Sequence, residues 1–202
     1  MDYFITGIDT DSGKTLVSAI FCEALEADYW KPVQAGAPMD SDTVRTLVSN
    51  PKINIHKETF FLNTPASPHA AAKVDGISIN LSDFHKPKTS RDLIIEGAGG
   101  CLVPLNEHDF VIDLAASFTA DVILVADLYL GSINHTLLTW RELLARKLNL
   151  KGIVFNGKSN PESERIILHH TGLPCLLRID YEEKIDKQMV KRYSELLRST
   201  WL

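Results

Sequence analysis

The sequence predicts an α/β fold of three layers, a mostly parallel sheet with helices on both faces, and three observations support it. Short apolar runs recur with helix-periodic stretches between them, the alternation that builds a parallel sheet under crossover helices. Two of the runs, Leu93-Ile94-Ile95 and Val122-Ile123-Leu124-Val125, are continuously apolar, as strands buried on both faces must be. The first apolar run passes directly into a turn ending in Gly13-Lys14-Thr15.

Taken in order, strands are expected at 3–8, 27–31, 92–96, 121–126, 150–155 and 174–177, with the third and fourth at the centre of the sheet. Apolar residues spaced three and four apart predict helices at 14–26, 41–48, 110–117, 133–147, 161–171 and 184–199. Residues 50–88, with Pro51, Pro65, Pro68 and Pro87, read as irregular and too long for an ordinary connection. Such a segment is a candidate to face a substrate.

A chain of 202 residues that is 45% hydrophobic can bury one substantial core, so residues 1–202 are expected to form a single domain. The formal charge of -5 argues against a general grip on nucleic acid, which needs clustered positive charge. Any anionic ligand must therefore be held locally. Cys22, Cys101 and Cys175 are odd in number and widely spaced, which makes a disulfide framework improbable. The first residues lack the basic flank and long apolar stretch of a signal peptide, and no run reaches the length of a membrane span. A soluble, cytoplasmic setting is expected, without a membrane or nucleic-acid partner.

The segment Gly7-Ile8-Asp9-Thr10-Asp11-Ser12-Gly13-Lys14-Thr15 lies between the first strand and the first helix, the context that a phosphate-binding P-loop requires. Backbone N–H groups at the helix start face an anion, Lys14 reaches terminal phosphates, and the Thr15 hydroxyl suits magnesium. The motif is a variant: the common pattern has glycine where Ile8 stands, and here glycine comes one residue earlier. The fold class is thus narrowed to a P-loop NTPase-like one, with ATP and Mg2+ as expected ligands.

Glu96 ends an apolar strand and precedes Gly97-Ala98-Gly99-Gly100. A carboxylate at that end of a buried strand points into the crevice where such sheets bind ligands, so metal ligation is expected. Asp42, in Asp40-Ser41-Asp42-Thr43, reads locally as a first-turn helix acid, and its place after the second strand adds a magnesium role. Lys31 follows the second strand, where a second cation beside Lys14 neutralises charge during phosphoryl transfer.

Gly7 to Thr15, Lys31-Pro32-Val33, Ser67-Pro68-His69, Glu96 to Gly100 and Gly131-Ser132-Ile133-Asn134-His135 together resemble dethiobiotin synthase, in order and spacing, over nearly the whole chain. The resemblance implies a homodimer that joins carbon dioxide to 7,8-diaminononanoate with ATP and magnesium. One amine captures carbon dioxide, the carbamate takes the terminal phosphoryl group, and the second amine closes the cyclic urea by expelling phosphate. It further implies that Thr10, Lys14 and Lys31 act at the carbamate and phosphates, with magnesium on Thr15, Asp42 and Glu96. Nucleotide contacts are implied for Asp11, Ser12, Gly13, Lys14, Thr15, Leu16, Glu96, Gly99 and Asn156, the last at the adenine. Substrate contacts are implied for Thr10, Lys31, Ala35, Ser67 and Pro68, and for Gly131, Ser132 and Asn134 at the substrate carboxylate across the dimer interface. Ala35 stands where some relatives carry a hydroxyl residue. Replacing Lys14 or Lys31 by alanine is expected to reduce turnover greatly and to leave the fold intact.

Three rival classes share these parts, one of them an amide-forming ligase of cobyrinate type that needs an additional glutamine-hydrolysing domain. A partitioning or assembly ATPase has the same fold but carries an extra P-loop lysine where Asp9 stands here, and a small-molecule kinase needs the same phosphate site. His169 and His170 lack an acid or cysteine at ligand spacing and read as surface or packing residues.

Overall fold

The computed structural model describes residues 1–201. Seven strands form one parallel sheet: β1 (Asp2–Gly7), β2 (Asp28–Trp30), β4 (Ile55–His56), β6 (Leu93–Gly100), β7 (Asp121–Asp127), β8 (Leu150–Asn156) and β9 (Cys175–Ile179), in the order β4-β2-β6-β1-β7-β8-β9. The two continuously apolar runs, in β6 and β7, flank β1 at the centre as expected. A separate two-stranded parallel sheet pairs β3 (Val33–Ala35) with β5 (Phe60–Leu62).

Period-two alternation divides the core into two layers. Tyr3, Ile5, Ile94, Ile123, Val125 and Val154 face α1 (Lys14–Leu25), α2 (Asp40–Leu47) and α7 (Lys187–Trp201). Their neighbours Phe4, Ile95, Val122, Leu124, Ile153 and Phe155 face the other side, under α3 (Pro68–Asp75), α4 (Asp113–Ser117), α5 (Ser132–Ala145) and α6 (Pro161–Thr171). Each fully buried large side chain contributes about 1.5–3 kcal/mol.

Residues 50–88 are not irregular throughout. They hold β4, β5 and α3, and β3 was also unmarked by the sequence. Elsewhere α4 is shorter than the expected 110–117 helix, because Phe110 pairs with Pro104 in an isolated bridge. The last helix starts at Lys187 rather than at 184.

Candidate active site

β1 ends at Gly7, and the chain curls through the loop to the start of α1. Gly13 is left-handed, at φ 93° and ψ 23°, and a Cβ there would lie 2.3 Å from Asn156 Nδ2. Only glycine meets both demands. That Asn156 amide donates to the Ser12 carbonyl at 3.0 Å and braces the loop from β8. At Gly7 a Cβ would fall 2.0 Å from Ser12 Oγ, which donates to the Asp9 carbonyl at 3.0 Å.

The loop closes around Lys14, whose Nζ donates to the carbonyls of Asp9 and Thr10 at 2.8 and 2.9 Å. Burial, joined by repulsion from Lys31 and opposed by attraction to Glu96, brings the Lys14 pKa down to about 8. No side chain caps α1 and its first turn holds no acid, so the helix start keeps its positive end for an anion.

Opposite this loop stands Glu96, on β6 and 1% exposed. Its Oε1 accepts from Thr15 Oγ1 at 2.9 Å and from Lys31 Nζ at 3.0 Å, and its Oε2 accepts from the Tyr29 hydroxyl at 2.8 Å. Lys31, 4% exposed, also lies 2.6 Å from Asp40 Oδ2 and donates to the Gly97 carbonyl at 3.3 Å. Burial works against the Lys31 ammonium, but Glu96 and Asp40 outweigh it and hold its pKa above the ordinary lysine value. Burial, then the Glu96 charge, push the Tyr29 phenol well up.

Lys14, Lys31, Thr15, Asp40 and Glu96 line one open cleft of about 670 Å3 at the carboxyl ends of the strands, where parallel sheets bind ligands. The oxygens of Thr15, Glu96 and Asp40 suit a small hard cation that also draws on phosphate and water. Among the described residues no group of three or more His, Cys, Asp or Glu gathers into an all-protein metal cage.

Residues 1–189 match a family model described as an AAA domain. A curated ATP-dependent dethiobiotin synthetase of Cytophaga hutchinsonii is 58% identical, with 98% of each chain covered. One of Christiangramia forsetii is 48% identical, covering 97% of this chain and 95% of the relative. The chain belongs to the ATP-dependent dethiobiotin synthetase family. Its architecture extends beyond that family. A ParA family ATPase from Chlorobium tepidum, 13% identical, superposes with a TM-score of 0.54 over 98% of this chain and 94% of that one. The septum site-determining protein MinD of Pyrococcus horikoshii, 14% identical, gives 0.52 over 98% and 96%. At such identities the likeness is one of fold alone.

For a dethiobiotin synthetase family member, the structure gathers many of the expected residues. Thr10, Asp11, Gly13, Lys14, Thr15, Lys31, Ala35, Ser67, Pro68, Glu96 and Gly99 all line the cleft. Asp42 does not: its side chain is 63% exposed and paired with Arg45. Residues two apart on a helix point to nearly opposite sides, and on α2 it is Asp40 that faces Lys31. Ser12 and Asn156 lie outside the lining and brace the loop, and Leu16 packs against the core.

Gly131, Ser132 and Asn134 open α5 and are also outside the cleft. Gly131 caps the helix at φ 110°, the buried Ser132 Oγ has no partner, and Asn134 borders a smaller hollow with Trp140 and His170. Gln34, Asp40, Ala98 and Val103 line the cleft without having been expected. Asp40 had a signal in the acid pair Asp40 and Asp42, but choosing between them needs the orientation of α2.

Proposed function

We propose that this chain is an ATP- and magnesium-dependent cyclo-ligase that forms the ureido ring of dethiobiotin from 7,8-diaminononanoate and carbon dioxide, as a single 202-residue domain working in a homodimer. The observation that carries this reading is the convergence of two buried ammonium groups, Lys14 and Lys31, on one cleft in a chain of the dethiobiotin synthetase family.

In the proposed reaction, an amine nitrogen bonds to the carbon of carbon dioxide and loses a proton, giving a carbamate. A carbamate oxygen takes the terminal phosphoryl group and ADP departs. The second amine then attacks the carbamoyl carbon and loses a proton, and phosphate leaves with the bonding pair. The loop amides and Lys14 bind and orient the phosphates, and Lys31 offsets negative charge on the carbamate. Thr15, Glu96 and Asp40 are the oxygen donors that would hold magnesium, Asp40 replacing Asp42 in that role. When bound, the ion neutralises charge on the transferred group. Thr10 at the loop, with Ala35, Ser67 and Pro68 across the cleft, shapes the space for the diamine.

The opening of α5 is assigned to the substrate carboxylate of a second copy's cleft. Two features support this: a helix start with no side-chain cap and an unpartnered Ser132 hydroxyl, and the exposed apolar side chains of Tyr129, Leu130, Ile133 and Leu138 around it. A cytoplasmic location belongs to the same proposal and accords with three free cysteines. No described helix is long and apolar enough to cross a membrane.

The test is phosphate release from ATP with and without the diamine and bicarbonate, with mass spectrometry of the product. Release that needs both, and the appearance of dethiobiotin, is expected. Hydrolysis indifferent to the diamine would instead fit an ATPase switch and sink the proposal.

A further inference from the structure

Glu96 divides its two oxygens between two environments. Oε1 meets Thr15 and Lys31 at the cleft, whereas Oε2 accepts from Tyr29 within the core. Tyr29 is fully buried and does not line the cleft. It reaches Glu96 because β2 pairs with β6 so that Tyr29 lies opposite Ile94. Side chains two apart on a strand share a face, so Tyr29, Ile94 and Glu96 stand on one side of the sheet.

A ring needed only for packing would be served by phenylalanine. The hydroxyl is costly to bury unless it is bonded, and its hydrogen-bond partner is the carboxylate that faces the cleft. Without that donor, Oε2 would be left unsatisfied in the core, or the carboxylate would turn to share the donors now held by Oε1. Either outcome changes what Glu96 presents to a ligand.

We propose that Tyr29 is a positioning residue: its hydroxyl fixes the rotation of Glu96 so that Oε1 is offered, beside the Thr15 hydroxyl, to a divalent cation. This rests on the reading of Thr15 and Glu96 as cation-holding residues. Tyr29 itself touches neither substrate nor cation. It acts through Glu96, as groups that orient a metal-holding carboxylate generally do.

Tyr29→Phe removes a single oxygen and keeps the ring. Mn2+ binding in the presence of ADP, followed by the electron paramagnetic resonance signal of the free ion, should weaken by about tenfold to a hundredfold. The KM for the diamine should stay unchanged, and turnover should recover as Mg2+ is raised. In a Glu96→Gln background, Tyr29→Phe should bring little further loss of Mn2+ affinity, because the two residues act as one unit. Equal losses in both backgrounds overturn the inference. So does unaltered Mn2+ binding in Tyr29→Phe when the wild-type chain binds the ion. If the wild-type chain with ADP binds no Mn2+, the cation reading of Thr15 and Glu96 fails and takes the inference with it.

Discussion

Lys31 holds two carboxylates in register, and its place between Glu96 and Asp40 alters what its removal should do. The sequence by itself reads Lys31 as a cation replaceable without cost to the fold. Instead the ammonium is buried, and taking it away strands Glu96 in the core with Asp40 facing it. Leaving one side of a buried ion pair uncompensated costs about 3–5 kcal/mol. Urea unfolding of Lys31→Met should therefore show a loss of that order, and Lys31→Met combined with Asp40→Asn should recover part of it. A single variant as stable as the wild-type chain would mean that solvent already screens this cluster. The activity loss expected for Lys31 replacement is thus entangled with stability in a way that the loss at Lys14 is not, since Lys14 bonds to backbone carbonyls of its own loop.

Edge strand β4 is two residues long and is tied down by the amino end of β2. Buried Asp28 accepts from the Asn54 backbone at 2.8 Å, the Asn54 amide at 3.2 Å and the Thr89 hydroxyl at 2.7 Å, with His56 Nε2 at 3.4 Å. Burial opposes the charge, but the bonds from Asn54 and Thr89 outweigh it, and the Asp28 pKa lies below the ordinary aspartate value. The sign follows from linkage. The native state prefers the carboxylate, so this stability is complete above the unfolded pKa near about 3.9 and is lost as pH falls through the lower native value. Asp28→Asn should destabilise the chain by about 1–3 kcal/mol near neutrality. Its unfolding free energy should also fall less steeply than the wild type's under acid titration. Parallel acid limbs for the two proteins would show that Asp28 is not the group responsible.

For the whole molecule, the proposed assembly makes a prediction that neither half of the site makes alone. The cleft residues and the α5 opening are separate in one chain, and Leu130 beside that opening is fully exposed. If a second copy completes the site, a Lys14→Ala chain mixed with an Asn134→Asp chain should regain activity. One site of each heterodimer then combines an unaltered cleft with an unaltered helix start. Light scattering should give twice the mass of one chain, and Leu130→Glu with Leu138→Glu should halve it and abolish turnover. No recovery on mixing two stable dimeric variants would place the whole site within one chain.

Features encoded by neighbouring residues were legible from the sequence alone. The apolar runs of β1, β6 and β7 declared themselves as buried strands, and Gly13-Lys14-Thr15 declared a phosphate loop, because burial pattern and loop chemistry act over a few adjacent positions. Glu96 was legible for the same reason, as the acid that follows the apolar residues of such a strand, although β6 runs on past it to Gly100. Tertiary structure alone decided which of Asp40 and Asp42 enters the cleft, since a helix start offers both and only its packing selects a face. It alone joined Tyr29 to Glu96, a contact between residues 67 apart in sequence that depends on β2 lying beside β6 in one register. The short strands β3, β4 and β5 also awaited the fold, because they owe their form to the strands they pair with.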